Sequence, residues 1–112
     1  MKVLTMCSAG TVRSVAMAHR LKHDYGIDAV PLGHDTNSQD TIDRMSDWAD
    51  RIIVMQPKYT SGILKRNVHK LVPPELTDVG PDRWLNPLAP ELQDMVGKMA
   101  YGLYKNGMIT KG

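Results

Sequence analysis

The first 25 residues have the pattern of a strand, a short loop and a helix, and this unit constrains the fold more than any other part of the sequence. Val3 to Met6 form an apolar run typical of a buried strand. From Ser14 onward, apolar residues recur at helical spacing, and Gly26 is the predicted end of that helix. A strand that turns directly into a helix begins a parallel βαβ unit, so the sequence predicts an α/β fold.

The remaining predicted elements continue this alternation. In chain order they are a strand at 27–32, a helix from Ser38 to about 49, a strand at 52–55, a short helix at 57–65, a fourth strand at 68–72, a long loop at 73–87 and a helix at 88–104. Pro31 lacks an N–H for a sheet ladder, so the second strand is expected at a sheet edge. Ile52 to Met55, the most hydrophobic run, is expected to be a central strand. Together these elements predict a three-layer α/β/α fold with a parallel sheet.

The length of 112 residues suits one domain, 1–112, whose last residues, 106–112, are expected to be frayed. No apolar run approaches the ~18 residues of a membrane span, so no membrane contact is expected. The net charge of +2, without dense basic and aromatic clusters, is too mild to indicate nucleic acid binding. We expect a cytoplasmic protein because the first residues read as a strand and not as a secretory signal.

The loop after the first strand carries the chemistry that the sequence predicts. Cys7, the single cysteine, and Arg13 enclose five residues that include the small Ser8, Ala9 and Gly10. Backbone N–H groups of residues 8–14 and the helix N-terminus would surround an anion, and a guanidinium matches two phosphate oxygens. The same positive field favours a thiolate at Cys7. The pattern therefore predicts phosphate binding with a sulfur nucleophile beside it.

These residues resemble the motif of a known family. The stretch Cys7-Ser8-Ala9-Gly10-Thr11-Val12-Arg13-Ser14 resembles the Cys-x5-Arg-Ser/Thr signature of protein tyrosine phosphatases. Its place after an N-terminal strand is similar to the low-molecular-weight tyrosine phosphatase family, and Ala49 to Met55 resembles that family's "ADLIIVM" strand. The resemblance covers most of residues 1–104 and implies a four-stranded parallel sheet of order 2-1-3-4.

The resemblance also implies a two-step reaction without cofactor or metal. Cys7 would form a phosphocysteine, Arg13 would bind the phosphoryl group, and the loop residues Ser8, Ala9, Gly10, Thr11, Val12 and Ser14 would cradle its oxygens. The substrate would be a phosphotyrosine protein or a small aryl phosphate, and inorganic phosphate would be a product. We expect a monomer or a weak dimer.

The late loop departs from the family's pattern. The family has a general acid Asp in an Asp-Pro pair there, whereas this chain has Asn86 before Pro87. Asp82, after Pro81, is the first candidate for the acid and Asp78 the next. An alternative is that Asp82 only caps a turn and that no acid is present.

Two further side chains are candidates for the substrate wall. His34 follows the second strand and faces either the site or solvent. Trp84 either stacks on an aryl substrate or anchors the late loop to the core.

The motif itself has Gly10 where the family usually has Asn, and it lacks the second cysteine that the family often has near Val12.

Three alternatives to a phosphatase stay open on the sequence. The first is a phosphate-binding pseudophosphatase without an acid, which is consistent with Asn86 in the position of the family's acidic Asp. The second is an arsenate reductase, which would need an external thiol. The third is a sugar phosphotransferase IIB-like phosphocarrier, whose cysteine loop needs no arginine such as Arg13.

Overall fold

The computed structural model describes residues 1–112. Three strands alternate with α-helices, and three 3₁₀ helices lie between the last strand and the last α-helix. The elements are β1 (Lys2–Cys7), α1 (Arg13–Tyr25), β2 (Asp28–Gly33), α2 (Gln39–Trp48), β3 (Arg51–Val54), the 3₁₀ helices Pro57–Gly62, Lys65–Lys70 and Pro74–Leu76, and α3 (Pro90–Lys105).

The sheet is parallel and has the order β2-β1-β3. Every residue of β1 from Val3 to Cys7 is buried, as a middle strand covered on both faces requires. The chain runs from β1 through α1 to β2, and then back past β1 through α2 to β3. Since these two crossovers run in opposite directions, right-handed connections place α1 and α2 on opposite faces of the sheet. The helices α1 and α3 pack against each other, which completes the three layers.

Several local predictions are confirmed. The strand that contains Pro31, β2, pairs only with β1 and is therefore an edge. Gly26 ends α1 in the left-handed conformation, with φ at 64°, and its N–H donates to the carbonyls of the last turn. The hydroxyl of Ser38 caps α2 by accepting a hydrogen bond from the N–H of Thr41.

The predicted fourth strand is wrong, so the sheet has three strands and not four. Residues 65–70 form a 3₁₀ helix, and only Leu71 makes an isolated parallel bridge to Ile52. Pro73 and Pro74 follow at once and have no N–H to extend a ladder. As a consequence β3 is the last strand of the sheet instead of a central one, although Ile52 to Val54 are buried.

A side-chain clamp explains why residues 65–70 wind into a helix. The carboxylate of Asp47, on α2, accepts hydrogen bonds from Arg66 Nε and Nη2 at 2.9 and 2.8 Å and from Asn67 Nδ2 at 2.7 Å. Arg66 and, after it, Asn67 hold the pKa of Asp47 well below its usual range. Arg66 and Asn67 are neighbours and would point to opposite sides of a strand, so both reach one carboxylate only in a turn.

The end of the chain packs instead of fraying. Ile109 is only 1% exposed and belongs to the core, and the carbonyl of Met108 accepts a hydrogen bond from Arg51 Nε at 3.1 Å. The N–H of Gly112 donates to the carbonyl of Tyr25 at 2.8 Å. Met108 and Ile109 therefore pack on the core, and Gly112 is held at the end of α1, although the other residues of 106–112 are exposed. None of the helices combines the length and the hydrophobicity needed to span a bilayer.

Replacing Ile109 by Ala tests this packing. We expect the free energy of unfolding to fall by about 2–5 kcal/mol, because truncation of a buried Ile leaves a cavity in the core. Thr110→Ala is the matched control, since the neighbouring side chain is exposed and its loss should have little effect. Urea unfolding measures both; equal stabilities of the two variants would contradict the packed terminus.

Candidate active site

The carboxyl edge of the sheet brings the candidate residues together. In the register of the strands Cys7 lies opposite Gly33, and Met6 lies opposite Val54. The three strands therefore end side by side, followed by residues 8–12, by His34 and by Gln56. In open α/β sheets this edge is where ligands bind.

The sulfur of Cys7 is buried and surrounded by donors. Cys7 is 2% exposed, and the N–H groups of Gly10 and Ser14 donate to its Sγ at 3.3 and 3.4 Å. The thiol donates to the hydroxyl oxygen of Ser14, 3.1 Å from Sγ, and this hydroxyl becomes the donor when the thiol is ionised. Since Ser14 is in the first turn of α1, the helix N-terminus points at the sulfur. These contacts stabilise a negative charge on Cys7.

Gly10 allows the loop to curl over the end of β2. Its φ is +75°, and a Cβ there would lie 2.4 Å from the N of Gly33. The residues after β2 hold the loop from outside: the N–H of Asp35 donates to the carbonyl of Ser8 at 2.9 Å, and Thr36 Oγ1 donates to that of Ala9 at 3.1 Å. Of the predicted cradle residues, Thr11 is exposed and Val12 packs against the core.

Arg13 is buried, at 1% exposure, and four neutral groups accept its hydrogen bonds. Nη1 donates to Gln56 Oε1 at 2.6 Å and to the carbonyl of Gly80 at 2.9 Å. Nη2 donates to Ser8 Oγ at 3.1 Å and to the hydroxyl of Tyr59 at 3.0 Å. The guanidinium thus joins the loop at residues 8–12, the segment after β3, the following 3₁₀ helix and the late loop.

The Nε of Arg13 is buried and has no hydrogen-bond partner. A buried donor on a charged group costs free energy when it has no acceptor. This N–H is therefore the position of the guanidinium at which a ligand acceptor can bind. The carboxylate of Asp82 is the nearest anion, with Oδ1 at 4.0 Å and about half of the side chain exposed. Asp82 therefore lies where it faces both the guanidinium and solvent.

The late loop is attached to β3 and closed by its own turns. Thr77 Oγ1 donates to the carbonyl of Val54, and the N–H of Val79 donates to that of Met55. Asp78 Oδ1 accepts from the N–H of Gly80 at 2.9 Å, so this carboxylate caps a turn. Asp82, and not Asp78, is the carboxylate that the loop brings to Arg13.

Asn86, in the Asp-Pro position of the family, has its side chain hydrogen-bonded to the backbone. Its Oδ1 accepts a hydrogen bond from the N–H of Leu88 at 2.8 Å, which shapes the turn before α3. An amide accepts this bond as well as a carboxylate would, but it has no acidic proton to transfer to a leaving oxygen.

The two candidates for the substrate wall, His34 and Trp84, differ in their exposure. Trp84 is a member of the core, with Arg83 stacked 4.2 Å above its ring, and so anchors the late loop. His34 is partly exposed, donates through its backbone N–H to the carbonyl of Cys7, and has its ring 5.4 Å from that of Tyr59. Of the two, only His34 borders the partners of Arg13.

Sequence reasoning missed Gln56, Tyr59 and the carbonyl of Gly80. Gln56 comes two residues after the end of β3, next to the buried Met55, and a polar residue just beyond a buried parallel strand is a signal for the ligand-binding edge. Tyr59 and Gly80 gave no such signal, because contacts across 46 and 67 residues depend on the tertiary fold. No three His, Cys, Asp or Glu side chains lie together in a group that could hold a metal ion.

Comparison with known proteins identifies the fold. No family model and no curated protein matches the sequence. Among solved structures, the YwlE arginine phosphatase from Geobacillus stearothermophilus matches with a TM-score of 0.63 and 17% identity, over 96% of this chain and 95% of that one. A cysteine-to-serine mutant of YwlE arginine phosphatase, with a phosphorylated active-site serine, matches with a TM-score of 0.56 and 13% identity, over 95% and 97%.

The chain therefore has the three-layer fold of the low-molecular-weight phosphatases, and the resemblance predicted from the motif is confirmed at the level of the fold. The difference from the expected order 2-1-3-4 is the fourth strand, which is reduced here to the bridge at Leu71.

Gly10→Ala tests the shape of the loop, with Gly107→Ala as the matched control. Both glycines have φ at +75°, but nothing lies within 4 Å of a Cβ at Gly107. Gly107→Ala should lower the free energy of unfolding by about 1 kcal/mol through backbone strain alone. Gly10→Ala should cost a further ~1–3 kcal/mol, because its Cβ collides with the backbone of β2. Equal losses in urea unfolding would show that the loop does not need this close approach.

Proposed function

We propose that the protein is a cysteine-dependent phosphatase that hydrolyses aryl phosphates, with phosphotyrosine in proteins as the substrate. The observation that carries the proposal is the combination, in one short loop, of a buried sulfur that accepts two N–H bonds and a buried arginine with an unpartnered Nε. A phosphoryl group supplies both the electrophile for the sulfur and the acceptor for the guanidinium.

In the first step the thiolate of Cys7 attacks phosphorus, the S–P bond forms, and the bond to the leaving oxygen breaks. Asp82 gives its proton to that oxygen, and the vacant Nε of Arg13 binds the charge that develops on the phosphoryl oxygens. In the second step water attacks phosphorus while Asp82 takes its proton. The thiolate leaves with the hydroxyl of Ser14 as hydrogen-bond donor, and inorganic phosphate is released.

The similar structures support the covalent step. One of them has a phosphorylated serine in the active site of a cysteine-to-serine mutant, which shows that in that protein the active-site side chain accepts a phosphoryl group. The shared fold makes Cys7 the corresponding nucleophile in our proposal.

Asp82→Asn tests the general acid. On p-nitrophenyl phosphate we expect kcat to fall by about 10²–10⁴, because the leaving oxygen loses its proton donor. Asp78→Asn is the matched control: the amide keeps the acceptor for the N–H of Gly80 but removes the carboxyl, so activity should stay near wild type. Cys7→Ser should abolish turnover. An Asp82→Asn enzyme as active as wild type would exclude Asp82, and an active Cys7→Ser enzyme would exclude the mechanism.

A second candidate substrate is phosphoarginine, which both similar structures favour, since their proteins are arginine phosphatases. One peptide sequence carrying either phosphotyrosine or phosphoarginine separates the two substrates. For phosphotyrosine as the substrate we expect kcat/KM to be at least about tenfold higher on that peptide, as a specific pocket discriminates. The opposite ratio would assign the arginine activity.

The same assays address the other readings of the sequence. Stable phosphate on Cys7 without turnover would indicate a phosphocarrier, and phosphate binding without transfer to Cys7 a pseudophosphatase. Thiol-dependent reduction of arsenate without ester hydrolysis would indicate an arsenate reductase. The cytoplasmic location and the monomeric or weakly dimeric state stay predictions.

A further inference from the structure

The hydrogen bonds of Arg13 are divided unequally among its three nitrogens. A guanidinium has five N–H groups: two on Nη1, two on Nη2 and one on Nε. Both groups of Nη1 are used by Gln56 and the carbonyl of Gly80, and both groups of Nη2 by the hydroxyls of Ser8 and Tyr59. Only Nε has no partner.

Gln56 makes the shortest of these bonds, 2.6 Å from Oε1 to Nη1. The same oxygen lies 3.4 Å from the hydroxyl of Tyr59, which donates to it and is itself bound to Nη2. One side chain therefore contacts Nη1 directly and Nη2 through Tyr59. Gln56 comes two residues after β3, and the preceding Met55 is tied to the sheet because its N–H donates to the carbonyl of Met6 at 2.9 Å.

The acceptor at Gln56 is neutral, and this matters for an anionic ligand. A carboxylate at the same place would hold Arg13 but would also cancel its positive charge. With a neutral amide the guanidinium keeps its full charge for the phosphoryl group, and the nearest carboxylate, that of Asp82, is 4.0 Å from Nε.

We propose that Gln56 is a positioning residue of the phosphatase site: its amide oxygen fixes Arg13 through Nη1, so that Nε is aimed at the phosphoryl group. The inference rests on the proposed function, because it assigns to Gln56 a role in that same site. Nη2, in contrast, is held by two hydroxyls that can exchange with phosphoryl oxygens when the ligand enters.

Gln56→Met tests the role of the amide oxygen, since the side chain keeps its length but loses the acceptor. The probe is tungstate, a tetrahedral oxyanion, titrated calorimetrically into the whole chain. Loss of a hydrogen bond to a charged group is expected to weaken tungstate binding, and to lower kcat/KM on p-nitrophenyl phosphate, by about tenfold or more. Gln39→Met makes the same chemical change at an exposed residue of α2, whose amide donates to Asp43 and to the carbonyl of Gly62 but does not contact Arg13, and should leave both unchanged. Circular dichroism verifies folding, and Gln56→Asn, whose amide is too short to reach Nη1, replaces Gln56→Met if the latter does not fold.

The Arg13→Lys background separates positioning from a structural role. Lysine has no Nη1, so Gln56→Met should weaken tungstate binding little further when Arg13 is already Lys. An equal loss in both backgrounds, or wild-type affinity in Gln56→Met, overturns the inference. A wild type that binds tungstate but hydrolyses no phosphate ester overturns the proposed function alone, provided that Gln56→Met still weakens binding. A wild type that binds no tungstate overturns both.

Discussion

The buried charge of Arg13 is the interaction on which the rest of the site depends. Removing a guanidinium from water is expensive unless hydrogen bonds replace its hydration. Four acceptors from four separate segments do so here, at Ser8, Gln56, Tyr59 and Gly80. Because each acceptor is neutral, the network satisfies the hydrogen bonds without neutralising the charge, and the site keeps a field that attracts an anion. The same bonds hold the late loop against the loop at residues 8–12.

The parallel sheet makes this network possible. In-register strands end together, so the loop after β1 and Gln56, two residues after β3, meet without long connections. The positive end of α1 then acts on the same point as Arg13, and the sulfur of Cys7 lies between backbone donors from the loop and the helix. Gly10 is the one loop position where the close packing on β2 requires glycine.

Apolar periodicity, prolines and capping residues predicted those parts of the fold that depend on interactions within a few residues of the chain. The strand and helix around Cys7, the edge strand at Pro31 and the cap at Ser38 follow from apolar spacing and side-chain chemistry within a few residues. The fourth strand failed because the clamp from Asp47 to residues 66 and 67 spans about 20 positions, which no local pattern shows. For the same reason Cys7 and Arg13 were identified from the motif, whereas Gln56 and Tyr59 were not.

The position of Asp82, the proposed acid, follows from how the late loop is anchored. Two residues before Asp82 the carbonyl of Gly80 is bound to Arg13, and two residues after Asp82 the ring of Trp84 is buried in the core. Asp82 lies between these two contacts, two residues from each, so the position of its half-exposed carboxylate is restricted on both sides. Asn86 is beyond the second anchor, where its amide shapes the turn before α3. In the proposed reaction the carboxyl group is therefore presented to the leaving oxygen from position 82, whereas the residue before Pro87 shapes the backbone.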